Sequence, residues 1–103
     1  MRVKLCLEKL ELVVGLLKEQ SEVERLQSYA AIVTLVELVD SNVFSGKYQH
    51  EVFEEYKGVF MEACQVICGL TPLEEGKSEA DYFAEAFNAI KEVRGRYCMD
   101  CNL

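Results

Sequence analysis

The chain has 103 residues, half of them apolar, with a formal net charge of −7 and five cysteines. A length of this order supports one domain with one core, which we expect to span residues 1–103. The acidic balance argues against a general binder of nucleic acid, because such proteins need a surplus of Lys and Arg on one face to displace counterions from phosphates. We therefore expect no direct contact with nucleic acid.

The start of the chain and its cysteines bear on localisation. Basic residues precede an apolar run, as in a secretion signal, but Glu8, Lys9 and Glu11 interrupt that run. No stretch reaches the roughly 18 unbroken apolar residues of a membrane span. An odd number of cysteines without an export signal is typical of a reducing compartment. These features predict a cytoplasmic protein that does not enter a membrane.

The first predicted helix covers residues 3–19. One stripe of apolar side chains follows the 3–4 spacing of a helix that packs on a core. Leu5, Leu12 and Leu16 project roughly opposite to that stripe. A helix that is apolar on two sides needs two partners, so this second side predicts a contact beyond the core.

The second predicted helix covers residues 22–40. Ser21 and Glu24 have the spacing of a capping box, which starts a helix and allows only a very tight turn before it. Residues 30–39 are apolar almost all round, so this half of the helix must be enclosed. The polar residues that begin at Asp40 predict its end.

Two more helices are predicted in the second half of the chain, over residues 48–69 and 79–98. Gly69 should stop the third helix, and Pro72 prevents its continuation. Ser78 should cap the fourth helix, whose first turn carries acidic residues as the helix dipole favours.

This pattern predicts an all-α fold. No period-two alternation typical of strands persists anywhere in the chain. Short connections between helices of similar length favour an antiparallel, up-down-up-down four-helix bundle. The mean hydropathy of +0.02 is high for a small soluble domain, and the excess apolar surface predicts an oligomer or a hetero-complex.

Two cysteine pairs have a linear spacing that resembles a four-thiolate metal site, namely Cys64 with Cys68 and Cys98 with Cys101. The predicted topology places these pairs at opposite ends of the bundle, separated by about 20 to 30 Å at the rise of an α-helix. We therefore interpret Cys64 and Cys68 as small buried hydrophobic residues.

A different set of metal ligands converges at one end of the predicted bundle. Three thiolates and one imidazole form a valid tetrahedral zinc site. The set consists of Cys6, His50, Cys98 and Cys101. Zinc binding is thus an alternative to a protein without a cofactor, in which Cys6 flanks the core and His50 is solvated.

Carboxylate pairs offer an enzymatic alternative. Glu8 and Glu11 on the first helix, like Glu37 and Asp40 on the second, are three residues apart and share a helix face. These pairs resemble the ExxE and ExxD magnesium-binding pairs of all-α nucleotide pyrophosphohydrolases of the MazG type. The resemblance implies a magnesium-dependent hydrolase with these four carboxylates as metal ligands.

Two charged residues interrupt apolar stripes of the predicted helices. Glu37 continues a stripe on the second helix and Arg94 continues one on the fourth, and both reach the same level of the bundle. A buried charge needs a partner, so the two side chains either form a buried ion pair or each reach solvent at a helix end.

The function predicted first is a non-enzymatic, acidic protein–protein interaction module. An adaptor or inhibitor fits this description, including one encoded by a phage or mobile element. It would act as a homodimer or bind another protein through the second apolar side of the first helix and the apolar end of the second. The predicted interface residues are Leu5, Leu12, Leu16, Ile32, Leu35 and Val39.

Overall fold

A computed structural model describes the backbone of residues 3–44 and 50–101, and the side chains of residues 5–40 and 54–95. All regular structure in these ranges is helical, and they contain no strand, as the sequence predicts. The four helices are α1 (Val3–Leu17), α2 (Glu22–Phe44), α3 (His50–Ile67) and α4 (Glu79–Cys101). No helix in these ranges has an apolar stretch long enough to cross a membrane.

The start of α2 confirms the predicted capping box. The N–H of Glu24 donates to the hydroxyl of Ser21 at 3.3 Å, and the N–H of Ser21 donates to Glu24 Oε1 at 3.0 Å. These bonds satisfy backbone donors that lack a partner at a helix start. They also lower the pKa of Glu24. The bond from the Ser21 backbone has the larger effect, and the bond with the Ser21 hydroxyl has the smaller one.

The start of α4 uses the same device with an aspartate. The N–H of Asp81 donates to the Ser78 hydroxyl at 3.4 Å, and the Ser78 N–H donates to Asp81 Oδ2 at 2.8 Å. These bonds lower the pKa of Asp81, the bond from the Ser78 backbone more than the bond with the Ser78 hydroxyl. The predicted cap of the fourth helix is confirmed.

Removing the hydroxyl in Ser78→Ala should raise the pKa of Asp81, while the remaining backbone bond keeps it below the ordinary value. A lowered folded-state pKa stabilises the fold above the ordinary aspartate value of about 3.9, and this stabilisation is lost as the pH falls through the lowered pKa. An NMR titration of the Asp81 carboxyl measures the shift. Ser21→Ala is the matched control, because it should move the pKa of Glu24 and leave that of Asp81 unchanged. An unaltered Asp81 pKa in Ser78→Ala would contradict this account.

The end of α3 is set by Gly69, as predicted. Its φ is +82°, a left-handed conformation that glycine adopts without a steric penalty. The N–H of Leu70 donates to the carbonyl of Gln65 at 2.8 Å, and the N–H of Gly69 donates to that of Val66 at 3.1 Å. Together these bonds form a Schellman motif, which satisfies carbonyls at the helix end.

The end of α2 lies beyond the predicted position. The helix continues to Phe44, although the polar residues from Asp40 onward were expected to stop it. Asp40 Oδ2 accepts a bond from Lys57 Nζ of α3 at 3.1 Å, so its carboxylate is engaged by a neighbouring helix and not by its own backbone. A short polar side chain stops a helix when it binds the local backbone, and here it does not.

The core lies between the four helices. The main helix contacts join α1 to α2 and α4, and they join α3 to α2 and α4. The radius of gyration is 13.5 Å, close to the value of about 13 Å for a compact chain of this length. The most completely buried large side chains are Leu17, Ile32, Val14, Val39, Cys6 and Cys64.

Candidate docking surface

One side of α1 carries large apolar side chains that the rest of the described structure leaves uncovered. Leu5, Leu12 and Leu16 are 44%, 68% and 56% exposed. Spacings of seven and four residues place them within about 40° of one another around the helix. We call this set the outer face of α1. The opposite side of α1 is buried and consists of Cys6, Leu7, Leu10, Val14 and Leu17.

Lys18, the first residue after α1, contacts two aromatic rings of α4. Lys18 Nζ lies 5.4 Å from the ring centroid of Phe83 and 5.3 Å from that of Phe87. The two rings stack with their centroids 6.4 Å apart. Cation–π contacts thus join the end of α1 to two stacked rings of α4. The three leucines of the outer face take no part in these contacts.

The predicted interface residues of α2 lie elsewhere. Ile32 is 0% exposed and Val39 is 1% exposed, so both belong to the core of the chain itself. Leu35 is partly buried and packs against that core. Buried side chains offer no surface to a partner. The candidate surface therefore includes Leu5, Leu12 and Leu16 and excludes Ile32 and Val39.

The predicted ion pair between Glu37 and Arg94 does not form. Arg94 Nη1 lies 3.0 Å from Glu11 Oε2, so its partner is on α1, and Glu37 is exposed. The two side chains of the observed pair are 33% and 43% exposed, which makes it a surface salt bridge. The physical reason is that α1 is the neighbour of α4, whereas Glu37 lies on a side of α2 that faces solvent.

The four carboxylates of the hydrolase hypothesis do not converge. Glu11 turns towards Arg94 of α4, and Asp40 turns towards Lys57 of α3. Glu8 and Glu37 are exposed. Within the described residues, no group of three or more His, Cys, Asp or Glu side chains is placed to hold a metal ion. One carboxylate of each pair is thus engaged by a cation on another helix.

The structure describes the side chain of one of the four predicted zinc ligands. Cys6 is fully buried in the core. The side chains of His50, Cys98 and Cys101 lie outside the described residues. Zinc binding by this set therefore stays a prediction.

Cys64 and Cys68 are buried core residues, as predicted, with exposed fractions of 0% and 3%. Burial raises the pKa of the Cys64 thiol strongly, and Cys68 nearby raises it further. Burial also raises the pKa of Cys68, although the charge of Arg25 acts in the opposite direction. Both thiols stay protonated at neutral pH and behave as small hydrophobic groups.

Arg25 joins three helix ends, a role that was not predicted from the sequence. Its Nε donates to the carbonyl of Leu17 at 2.8 Å, and its Nη1 donates to the carbonyl of Ile67 at 3.1 Å. Its Nη2 lies 2.9 Å from Glu79 Oε1. The guanidinium carbon is 5.9 Å from the ring centroid of Phe83. The end of α1, the end of α3 and the start of α4 are thus held by one side chain of α2.

A signal for Arg25 does exist in the sequence. Arg25, Tyr29, Ile32 and Val36 follow one another at spacings of four, three and four residues, which puts the arginine in line with buried positions. A charged residue within such a line is expected to have polar partners.

Comparisons with known proteins do not suggest a function. No protein-family model matches the chain, and no curated protein or solved structure matches it. Function therefore has to be inferred from the side chains that the structure describes.

Proposed function

We propose that this protein is a non-enzymatic interaction module, an acidic adaptor or inhibitor that binds a polypeptide partner through the outer face of α1. The observation that supports this proposal is the exposure of Leu5, Leu12 and Leu16 along one side of a helix whose other side is already buried. Grouped leucines on a surface cost free energy in water unless a partner covers them. The partner is a second copy of the chain or another protein.

The proposal includes an antiparallel, up-down-up-down bundle as the scaffold. Contacts between α1 and α4 support it, because Lys18 meets Phe83 whereas Glu11 meets Arg94, further along α4. Contacts between α2 and α3 run in the same reversed order. Gln65 Nε2 donates to the hydroxyl of Tyr29 at 3.3 Å, whereas Lys57 meets Asp40.

The shifted pKa values among the described residues have structural explanations. Among the described residues, the shifted carboxyls are those of Glu24 and Asp81, which cap helices. The pKa of Lys77 is raised mainly by its hydrogen bond to Glu85, and the shifted thiols belong to the core. Each of these shifts has a structural cause, namely a helix cap, an ion pair or burial.

Replacing two leucines of the outer face, in Leu12→Gln with Leu16→Gln, should release the protein from its complex as a folded monomer. The glutamines remove most of the apolar area that a partner would cover, and they leave the core untouched. Native mass spectrometry of untagged protein, isolated under mild conditions from the cells that produce it, measures the mass of the complex. The same spectrum shows any bound zinc as added mass.

The matched control is Leu70→Gln with Leu73→Gln. These leucines are 51% and 53% exposed but lie outside α1, so their replacement should leave the complex intact. Circular dichroism checks that both double variants are folded. Recovery of the wild-type chain as a lone monomer, or an unchanged complex in the α1 variant, would contradict the proposal.

A further inference from the structure

The outer face of α1 is flanked by opposite charges whose spacing fits a second copy of the same helix. Lys9 precedes Leu12 by three residues, and Glu19 follows Leu16 by three. The N–H of Glu19 donates to the carbonyl of Leu16 at 3.1 Å, which keeps Glu19 beside the helix after its last turn. Between Lys9 and Glu19 this side carries Leu12 and Leu16, and before Lys9 it carries Leu5 and the exposed Glu8.

These two charges have no ion-pair partner among the residues that the structure describes. Lys9 and Glu19 are both exposed. They cannot pair with each other within one chain, since the helical rise from Lys9 to Leu17 alone separates them by about 12 Å. A partner surface with the reverse order of charges would satisfy both.

We propose that the partner is a second copy of this chain, packed so that the two α1 helices run antiparallel through their outer faces. The inference rests on the proposed function of that face. A twofold axis at the level of residue 14 places Lys9 opposite Glu19 of the partner subunit. It also places Leu12 opposite the partner's Leu16, and each contact occurs twice.

Charge decides between the two directions of packing. In a parallel pair, Lys9 would face the partner's Lys9 and Glu19 would face the partner's Glu19, so like charges would repel. In the antiparallel pair, both of these charge contacts are attractive, and they lie at the two ends of a central cluster of four leucines. This alternation of an apolar centre and charged ends resembles the layers of a short antiparallel coiled coil.

Gly15 lies next to the level of the proposed twofold axis and leaves room for close approach there. It lies inside α1, where glycine costs up to about 1 kcal/mol relative to alanine. A Cβ atom added there would meet nothing within 4 Å, so packing within the chain does not require the glycine. In the proposed dimer, the two Gly15 residues flank the twofold axis and let the helix backbones come close.

The dimer is tested by reversing the charges. Sedimentation equilibrium of purified, untagged protein should show a monomer–dimer equilibrium with a roughly micromolar dissociation constant, because the contact is one helix wide and small for a specific interface. Lys9→Glu and Glu19→Lys should each weaken the dimer about tenfold, since every single reversal replaces two attractions by two repulsions. The double reversal should return the dissociation constant to within about threefold of the wild-type value.

Lys91→Glu is the control, because it makes the same charge change at an exposed position on α4 and should have no effect. A wild-type protein that stays monomeric, single reversals without effect, or a double reversal that does not restore the dimer would each overturn the inference. If the purified protein is monomeric and Leu12→Gln with Leu16→Gln still releases it from a cellular complex, the docking face stands and its occupant is a different protein. If both results are negative, the docking face fails as well.

Discussion

Arg25→Ala is expected to lower the free energy of unfolding by about 2–4 kcal/mol, measured by urea denaturation at neutral pH. The side chain is 14% exposed, so its bonds are largely shielded from water. Its loss removes donors from the last turns of α1 and α3 and removes the cation beside Glu79. The Leu17 carbonyl keeps a bond from the Gln20 N–H at 3.2 Å, so the loss acts mainly on the Ile67 carbonyl. Water has to reach that carbonyl, or the end of α3 must fray.

A lysine at this position should restore less than half of the lost stability. The ammonium group keeps the charge, but it lacks the planar fork that lets a guanidinium bind several acceptors in fixed directions. The three acceptors of Arg25 lie on α1, α3 and α4, so one ammonium cannot replace the fork. The comparison of Arg25→Lys with Arg25→Ala therefore separates charge from geometry.

Arg94→Ala is the matched control for Arg25. Arg94 also forms an ion pair between helices, with Glu11, but its side chain is 33% exposed, against 14% for Arg25. Exposed salt bridges contribute about 0–1 kcal/mol, so this variant should lose much less stability. Equal losses in Arg25→Ala and Arg94→Ala would show that Arg25 does not hold the helix ends together in the way that the structure indicates.

The helix boundaries set by local chemistry were predictable from the sequence. Ser21 and Ser78 cap α2 and α4 at the expected residues, and Gly69 ends α3. Each signal acts within three to five residues, so no tertiary information is needed to read it. The end of α2 was missed because the state of Asp40 depends on Lys57, which lies on another helix.

The orientation of α2 could not be predicted because apolar residues surround its second half. Helical spacing predicts Glu37 on an inward stripe, yet Glu37 is exposed and Ile32 is buried. Such a helix has no dominant apolar side, so spacing alone does not decide which side meets the core. The same ambiguity concealed Arg25 and put Ile32 and Val39 in the predicted interface.

The partners of charged residues depend on which helices are neighbours. Reaching the same level of a bundle does not bring two side chains together if their helices do not share a contact face. Arg94 meets Glu11 because α1 packs beside α4, a fact that helical periodicity does not contain. The sequence did predict an apolar side of α1 that the core does not cover, formed by Leu5, Leu12 and Leu16. This was possible because α1 has two distinct apolar stripes, and the core covers one of them.

Ile32→Ala is expected to lower the free energy of unfolding by about 3–4 kcal/mol without altering the docking face. Ile32 is fully buried, so the truncation removes apolar contacts and leaves a cavity between tightly packed helices. Urea denaturation measures the loss. Sedimentation of the folded variant should show the same association as the wild-type chain, because the side chain reaches no surface.

Leu12→Ala should behave in the opposite way. Leu12 is 68% exposed, so its truncation should change the stability of the monomer by no more than about 0.5 kcal/mol while it weakens association. The two variants remove side chains of similar size, and they differ mainly in whether the chain or its partner covers the position. If Ile32→Ala left unfolding unchanged and abolished association, Ile32 would be a contact residue, as its place in the predicted interface implied. A loss of stability with intact association would instead assign the apolar side chains of α2 to the core and leave α1 to carry the docking face.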